Sequence, residues 1–340
     1  MHIYLLLKKI VRIHVSKTSF ILQLLLLPLS YNLSAQQTTD NAGNKTIALF
    51  QAIRSGSSAA LQKQLAGGSS ANDSMNSYSA LMAAALNGSM KQMKILIEHG
   101  ADVNYHSKDG TTALWLAVPD WDKTKLLLDN GADPNHKIYG YGVLVKLAAM
   151  PGTINIFHLL IDKGADLKKS TPDNYLVYNA ASSGDTATLG FLLRNGFKAN
   201  DTVSFGDYPI DAALGFRSFA TLKMLVDNGA NVNIAPVFPF GLDAVQGFTP
   251  LMNAALAHDK KSFMYLLDHG ANPNAKCKHG YTALMMLQQS ETDDPEMTTA
   301  LIKHGADVSV KAPDGTDALY YAKQKGNVPS VAILEEYSAK

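Results

Sequence analysis

Apolar residues recur along most of the chain in two alternating blocks, with short polar segments between them. One block ends in a pair of Leu, Ile or Val residues, two spacer residues and Gly, as in LIEHGADVN at residues 96–104. The other block begins near Ser or Thr and contains paired Ala, as in YSALMAAALNG at residues 78–88. Apolar positions three and four residues apart are typical of the buried side of a helix. The pattern therefore predicts two helices in each unit.

The closing Gly of the first block recurs at spacings of 31 to 41 residues. The glycines are Gly68, Gly100, Gly131, Gly164, Gly196, Gly229, Gly270 and Gly305. A Gly after the last apolar pair suits the left-handed position that ends a helix, and the Asp or Asn after it suits a turn. One helix pair cannot bury its apolar side alone, so we expect successive units to stack.

The two blocks together resemble the ankyrin repeat, whose T-P-L-H-x-A-A and L-L-x-x-G-A-D-x-N motifs recur about every 33 residues. The resemblance covers residues 45–340. It implies an all-α fold, an elongated and curved ankyrin-repeat solenoid of stacked helix–turn–helix units with β-turn fingers along one edge. We expect about eight repeats plus divergent caps, with residues 46–68 as the N-terminal cap.

The chain departs from the ankyrin motif in two respects. The His of T-P-L-H, which in the family helps to tie neighbouring repeats by hydrogen bonds, is replaced by Met82, Trp115, Asp211, Met252, Met285 and Tyr320. Because most of these replacements are apolar, we expect packing to take over this role. The segment GVLVKLAAM, from Gly142, lacks the Thr and Pro of the motif, so the middle repeats are predicted to be less regular.

The beginning of the chain has a different composition from the rest. Four Lys or Arg residues come first, an apolar run at 20–29 follows, and small residues end at Ala35, with no acidic residue before Asp40. This order is typical of a secretory signal peptide. The predicted domains are a signal peptide at 1–35, a disordered linker at 36–45 and the ankyrin-repeat solenoid at 46–340.

Cleavage after Ala35 takes the net charge from +1 to −3, because four basic residues are removed. A mildly acidic exported protein has no electrostatic reason to bind nucleic acid or an anionic membrane. We therefore expect a periplasmic or secreted protein that is monomeric and has no stable membrane insertion after cleavage. The alternative is an N-terminal membrane anchor, since the uncharged segment 18–37 has about the length of one span.

Groups that could carry chemistry recur at equivalent positions of successive units. Three histidines precede a closing Gly, at a helix C-terminus that favours positive charge: His99, His269 and His304. Four aspartates lie two residues after a closing Gly, where turn formation explains them: Asp102, Asp133, Asp166 and Asp307. Stacked copies of one position lie about 10 Å apart, too far to share a metal ion.

The chain lacks the G-x-x-x-x-G-K-[ST], H-E-x-x-H and G-x-S-x-G motifs of common enzyme classes. We therefore expect no enzymatic activity, no cofactor and no metal site. The single cysteine, Cys277, lies near a finger tip and is expected to be an exposed thiol without a function.

Several finger tips carry aromatic residues, where polar turn residues are the norm. Exposed Tyr and Phe on an ordered edge are frequent anchors of protein interfaces. We predict a partner-binding surface that combines the finger edge with the concave face of the first helices. Its finger residues are Tyr105, His106, Tyr139, Tyr141, Phe205, Tyr208, Phe238 and Phe240, and its helix residues are Leu116, Asn253 and Tyr321.

One finger is lengthened by an apolar insertion at 234–247 that contains Pro236 and Pro239. Insertions in repeat proteins map to loops, often on the binding face, so this one either binds or packs as a local plug. We predict a non-catalytic protein–protein interaction module of the cell envelope. Two alternatives stay open: a small-molecule or carbohydrate binder that uses the finger aromatics, and a structural or stress-protective accessory to a neighbouring envelope enzyme.

Overall fold

The computed structural model describes residues 41–171, 174–203, 206–236 and 247–339. The predicted signal peptide lies outside these ranges, as do Phe205, Phe238, Phe240 and most of the 234–247 insertion. Within the described ranges, no helix has both the length and the apolar composition that a membrane span requires.

Nearly all the regular structure in the described residues is helical, which confirms the predicted all-α class. The helices are α1 (Asn41–Arg54), α2 (Ser58–Ala66), α3 (Ala80–Asn87), α4 (Met90–Glu98), α5 (Ala113–Ala117), α6 (Trp121–Asp129), α7 (Val143–Ala148), α8 (Ile154–Asp162), α9 (Tyr175–Ser183), α10 (Thr186–Arg194), α11 (Pro209–Gly215), α12 (Phe219–Asp227), α13 (Pro250–Leu256), α14 (Lys260–Asp268), α15 (Ala283–Gln288), α16 (Pro295–Lys303), α17 (Ala318–Lys325) and α18 (Val328–Ser338). The strands are β1 (Ser74–Met75), β2 (Tyr78–Ser79), β3 (Lys137–Ile138) and β4 (Tyr141–Gly142).

The first helix starts earlier than the domain boundary at residue 46 predicts. It begins at Asn41, so the second half of the expected linker 36–45 is helical. Two hydrogen bonds join the first half of α1 to the segment that follows α2. The Ser69 hydroxyl donates to the carbonyl oxygen of Lys45 at 3.4 Å, and the Thr46 hydroxyl donates to Asp73 at 3.0 Å.

The chain divides into two compact units, and the boundary between them lies between Pro172 and Asp173. We call their described parts the N-terminal unit, 41–171, and the C-terminal unit, 174–203, 206–236 and 247–339. In the N-terminal unit α1 packs on α3 and α3 on α5, while α2, α4, α6 and α8 form a parallel second row. The C-terminal unit repeats this arrangement with its own odd-numbered and even-numbered helices.

The two sequence blocks form the core of each unit. In the N-terminal unit Leu81 and Ala84, on the first helix of a repeat (α3), and Leu96, on its second helix (α4), are fully buried. The equivalent residues of the C-terminal unit, such as Leu251 and Leu266, are buried in the same way. Small Ala side chains on the first helices let neighbouring helices approach closely, so the core is filled by alternating large and small residues.

Four of the first helices of the described repeats begin at a Ser or Thr hydroxyl that caps them. Ser79 accepts from the amide of Met82 at 3.2 Å, and Thr282 accepts from that of Met285 at 3.4 Å. The middle of the chain lacks this support, as its weaker motif predicted. Helix α7 begins after Gly142, which has no side chain with which to accept the bond. Such a cap is worth about 1 kcal/mol, so the middle helices depend more on packing.

Candidate partner-binding surface

The base of each finger is tied to the next repeat by an Asn side chain. The amide nitrogen of Asn104 donates to the carbonyl of Gly131 at 2.9 Å, and its amide oxygen accepts from the Asp133 backbone at 2.8 Å. The same two bonds are made by Asn72, Asn135, Asn200, Asn233 and Asn274. We call this row the asparagine ladder. It sets the spacing of the fingers within each unit.

The recurring Asp and His residues have the structural roles that their positions predicted. The carboxylate of Asp102 accepts from the backbone amide of Asn104 at 2.9 Å, which closes the turn, and Asp307 accepts from Ser309 at 2.8 Å. The Nδ1 atom of His99 lies 2.8 Å from the carbonyl oxygen of Ile95, one turn earlier. His269 and His304 make the same contact. In the described ranges, no three His, Cys, Asp or Glu side chains converge as metal ligands.

The second finger of the described N-terminal unit rests on the third through a pair of imidazoles. The rings of His106 and His136 stack with centroids 5.5 Å apart, and His106 is exposed while His136 is half-buried. His136 Nε2 lies 2.9 Å from the carbonyl oxygen of Gly110. Tyr105 is half-buried at the start of the same finger. The two fingers therefore form one continuous edge.

Tyr139 stands at the tip of the hairpin formed by β3 and β4. Its side chain is 65% exposed, and its backbone has φ +50°. With Gly140 at φ +88°, the two residues form the tight turn in which both central residues have positive φ. The equivalent turn between β1 and β2 uses Asn76 at φ +53°. Asn tolerates this conformation far better than a bulky aromatic residue does.

Tyr141 and Leu116 are less accessible than predicted. Tyr141 is half-buried beside the start of α7, where the amide of Gly142 donates to the carbonyl oxygen of Ser170 at 2.6 Å. Leu116 is only 8% exposed, so its assignment to an exposed face is wrong. Every residue of the short helix α5 is buried, because the helix packs between α3 and α6 and has no free side.

A buried lysine, which the sequence analysis missed, occupies the same helix position as Leu116 in the next repeat. The ammonium of Lys146 donates to the carbonyl oxygens of Trp115 at 2.7 Å and Val118 at 3.3 Å, and it lies 5.3 Å from the Trp115 ring centre. Burial lowers the pKa of Lys146 to about 8. The positive charge lies at the C-terminal end of α5, where the helix dipole favours it.

In the C-terminal unit, two predicted contact residues serve the scaffold as well. Tyr208 is half-buried and occupies the cap position of α11, without a side-chain cap bond. The amide nitrogen of Asn253 donates to Asp211 at 3.2 Å and so connects α13 to α11. Asp211 replaces the family's His, and it ties the neighbouring repeats by a hydrogen bond instead of by packing.

Tyr321 belongs to a cluster of three tyrosines near the end of the C-terminal unit. Its ring centre lies 6.2 Å from that of Tyr281 and 5.5 Å from that of Tyr320. Tyr320, which we expected to pack in the manner of Met82 and Met285, is 48% exposed. Tyr320 therefore does not pack as Met82 and Met285 do, and its ring lies at the surface beside Tyr321.

Cys277 is buried, at 5% exposure, which contradicts the exposed thiol that we expected. Its amide donates to the carbonyl oxygen of Tyr281 at 3.0 Å inside the finger turn. The preceding finger covers it: a Cβ atom at Gly247 would lie only 3.4 Å from the Cys277 Cα. The approach of Gly247 could not be read from the sequence, because it depends on how two fingers meet.

Stacked helix pairs, turn-closing glycines and an asparagine ladder define a repeat protein. The family model for ankyrin repeats (three copies) matches residues 20–138 and 238–312, more than half of the chain. The chain therefore belongs to the ankyrin-repeat family. Ankyrin repeats generally mediate protein–protein interactions and are typically non-catalytic.

The relatives include proteins from animals and viruses. The ankyrin repeat and KH domain-containing protein mask-1 of Caenorhabditis elegans is 27% identical over 268 residues, which cover 76% of this chain and 10% of that protein. The ankyrin repeat protein L371 of Acanthamoeba polyphaga mimivirus is 32% identical over 161 residues, which cover 44% and 21%. The ankyrin repeat protein FPV014 of fowlpox virus is 28% identical over 171 residues, which cover 49% and 39%. The chain thus spans well under half the length of these relatives.

Proposed function

We propose that this protein is exported from the cytoplasm and binds a protein partner through the finger edge of its N-terminal unit. The partner is held by surface complementarity, without chemical change. Tyr139 is the central contact, with Tyr105 and His106 beside it on the neighbouring finger. Leu116 is excluded from the contact surface because it is buried.

The observation that carries this proposal is the conformation of Tyr139. A large aromatic ring that is 65% exposed loses hydrophobic stabilisation, and its positive φ adds backbone strain. Neither feature benefits the free protein, since Asn serves the equivalent turn at Asn76. Burial of the ring in a pocket of a partner offsets both costs, and central aromatic residues often dominate interface energies.

The composition of residues 1–35 supports export. The basic start, the apolar run and the small residues before Gln36 have the order of a cleaved leader. Cell fractionation followed by N-terminal sequencing tests this part of the proposal. We expect the mature chain to begin at Gln36 and to lie outside the cytoplasm. A cytoplasmic chain that still begins at Met1 contradicts export, but it leaves the binding proposal untested.

Partner binding is tested by capture from extracts of the source cells with the full chain, followed by affinity measurement with the purified partner. We expect Tyr139→Ala to weaken binding by at least ten-fold, because the ring is the proposed anchor. The matched control is Trp121→Ala. Trp121 is also a large exposed aromatic residue of the N-terminal unit, at 43% exposure, but it lies on α6 and not on a finger. Equal effects of the two substitutions, or no effect of Tyr139→Ala, overturn the finger assignment.

A further inference from the structure

The tyrosine cluster of the C-terminal unit is joined by hydrogen bonds in addition to its ring contacts. The hydroxyl of Tyr321 lies 3.4 Å from that of Tyr281 and 2.9 Å from Thr316 Oγ1. Thr316 Oγ1 in turn donates to the carboxylate of Asp314 at 2.6 Å, and the Thr316 amide donates to the same oxygen at 3.0 Å. A chain of hydroxyls therefore leads from two aromatic rings to one carboxylate.

The carboxylate of Asp314 is held in its charged form and has no positive partner of its own. Hydrogen bonds from the Thr316 side chain and backbone hold the pKa of Asp314 below its ordinary value. Among the ion pairs of the described residues, none includes Asp314. A negative charge beside an aromatic surface therefore faces solvent without neutralisation.

The phenol of Tyr281 stays neutral. Burial, the hydrogen bond with Tyr321 and the charge of Asp314 raise the pKa of Tyr281 well above its ordinary value. Neutral tyrosine rings present a negative face to an approaching cation. With Tyr320 48% exposed beside them, the rings are accessible from solvent.

One part of this combination, a Tyr beside an Asp-Gly-Thr finger, also occurs in the N-terminal unit. Tyr78 occupies the position of Tyr281, and the Asp-Gly-Thr finger of Asp109 and Thr111 corresponds to Asp314 and Thr316. The hydroxyl of Thr111 donates to Asp109 at 3.0 Å. Burial, then the charge of Asp109, raise the pKa of Tyr78, while its bond with Thr111 opposes them. The contact of Tyr, Thr and Asp is therefore not particular to the chain end, whereas Tyr320 and Tyr321 have buried Trp115 and Leu116 at the equivalent positions.

We propose that Tyr281, Tyr320, Tyr321 and Asp314 form a site for a cationic side chain, Arg or Lys, of a protein partner. The inference rests on the proposed function and adds the chemistry of what is bound. The aromatic rings contact the planar or methylene part of the side chain, and Asp314 neutralises its charge. An anionic segment is disfavoured, since the carboxylate would repel it.

The probe is the end-blocked tripeptide Gly-Arg-Gly, titrated into the full chain with ring-labelled tyrosines and followed by NMR. Its matched control is Gly-citrulline-Gly, which has nearly the same shape without the charge. We expect the arginine peptide to shift the Tyr320 and Tyr321 ring signals saturably, and the citrulline peptide to bind at least three-fold more weakly. Equal shifts from both peptides, or none from either, overturn the proposal.

Two substitutions locate the site. We expect Asp314→Asn and Tyr320→Ala each to weaken arginine-peptide binding by roughly three-fold, the scale of one exposed cation–π or ionic contact. The control is Asp307→Asn. Asp307 is exposed and accepts the same pair of bonds, from the amide and hydroxyl of Ser309, but it lies outside the cluster. If Asp307→Asn weakens arginine-peptide binding equally, the effect comes from the overall charge of the protein, and the proposed site is contradicted.

Partner binding distinguishes this inference from the proposed function. If a captured partner binds the parent protein and is lost with Tyr139→Ala, but binds Asp314→Asn and Tyr320→Ala with unchanged affinity, the function stands and the cationic site fails. If the arginine peptide binds at Asp314 while no protein is captured, the site stands and the proposed function fails. Circular dichroism of each variant confirms that it is folded.

Discussion

At the finger bases of both units, six Asn side chains make the same two hydrogen bonds to the next repeat, whereas at the described finger tips the side chains differ from one turn to the next. The bases bind backbone atoms, which every repeat presents in the same place. The tips face solvent, where few neighbours constrain the side chain. Uniformity thus marks the positions that join repeats, and variation marks the positions available for recognition.

The first helices show the same contrast at one position of the repeat. At one equivalent position Leu116 and Lys146 are buried, while Asn253 and Tyr321 are half-exposed. A family-level assignment of this position to the binding face therefore holds for some repeats and fails for others. The accessible members carry the candidate contacts, and the buried members contribute to stability.

The largest expected effect concerns the buried residues at this repeat position. It is the change in the free energy of unfolding that the titration of Lys146 causes. Its pKa is about 8 in the folded chain, against 10.5 when it is exposed by unfolding. Between these pH values the unfolded chain holds a proton that the folded chain has released. The free energy of unfolding therefore rises with pH from 8 to 10.5, by about 3 kcal/mol in total, and falls again as the pH is lowered.

Urea unfolding at pH 7.5 and pH 10 measures this contribution. In Lys146→Met the contribution is absent, so the parent protein should gain about 2 kcal/mol more than this variant between the two pH values, because at pH 10 the unfolded chain is still mostly protonated at this lysine. Lys137→Met, which replaces an exposed finger lysine, controls for the loss of one lysine. If all three proteins show the same pH dependence, burial does not lower the pKa of Lys146.

The second effect tests the finger bases. Asn104→Ala removes two hydrogen bonds to the next repeat, and at about 1 kcal/mol each we expect a loss of about 2 kcal/mol in the free energy of unfolding. The control is Asn130→Ala in the same unit, since Asn130 donates only to Leu126 of its own helix. Equal losses in urea unfolding would show that the ladder adds nothing beyond helix capping.

The smallest effect tests the finger tips by exchanging their residues. Tyr139→Asn relieves the strain of an aromatic residue at positive φ and should stabilise the free protein by about 1 kcal/mol. Asn76→Tyr introduces the same strain at the equivalent turn and should destabilise it by a similar amount. Thermal unfolding of both variants gives the two signs. A loss of stability with Tyr139→Asn would mean that Tyr139 supports the fold.

Local chemistry explains which expectations were confirmed. The helix pairs followed from apolar spacing, and the roles of Asp102 and His99 followed from turn and helix-end preferences that act within five residues. The exposure of Leu116, Tyr320 and Cys277 was predicted wrongly, because it depends on which helix or finger covers each side chain. The single clue to Lys146 was a lysine inside an otherwise apolar helix segment.

By itself, the sequence determined the repeat period, the all-α class and the residues that close each turn, because these depend on contacts between near neighbours in the chain. The tertiary structure alone decided that Tyr139 is exposed, that Lys146 is buried beside Trp115, and that three tyrosines form a cluster connected to Asp314 through Thr316. Those arrangements join residues from different repeats. Stacking brings such residues together, and the periodic pattern within one repeat carries no information about its neighbour's side chains.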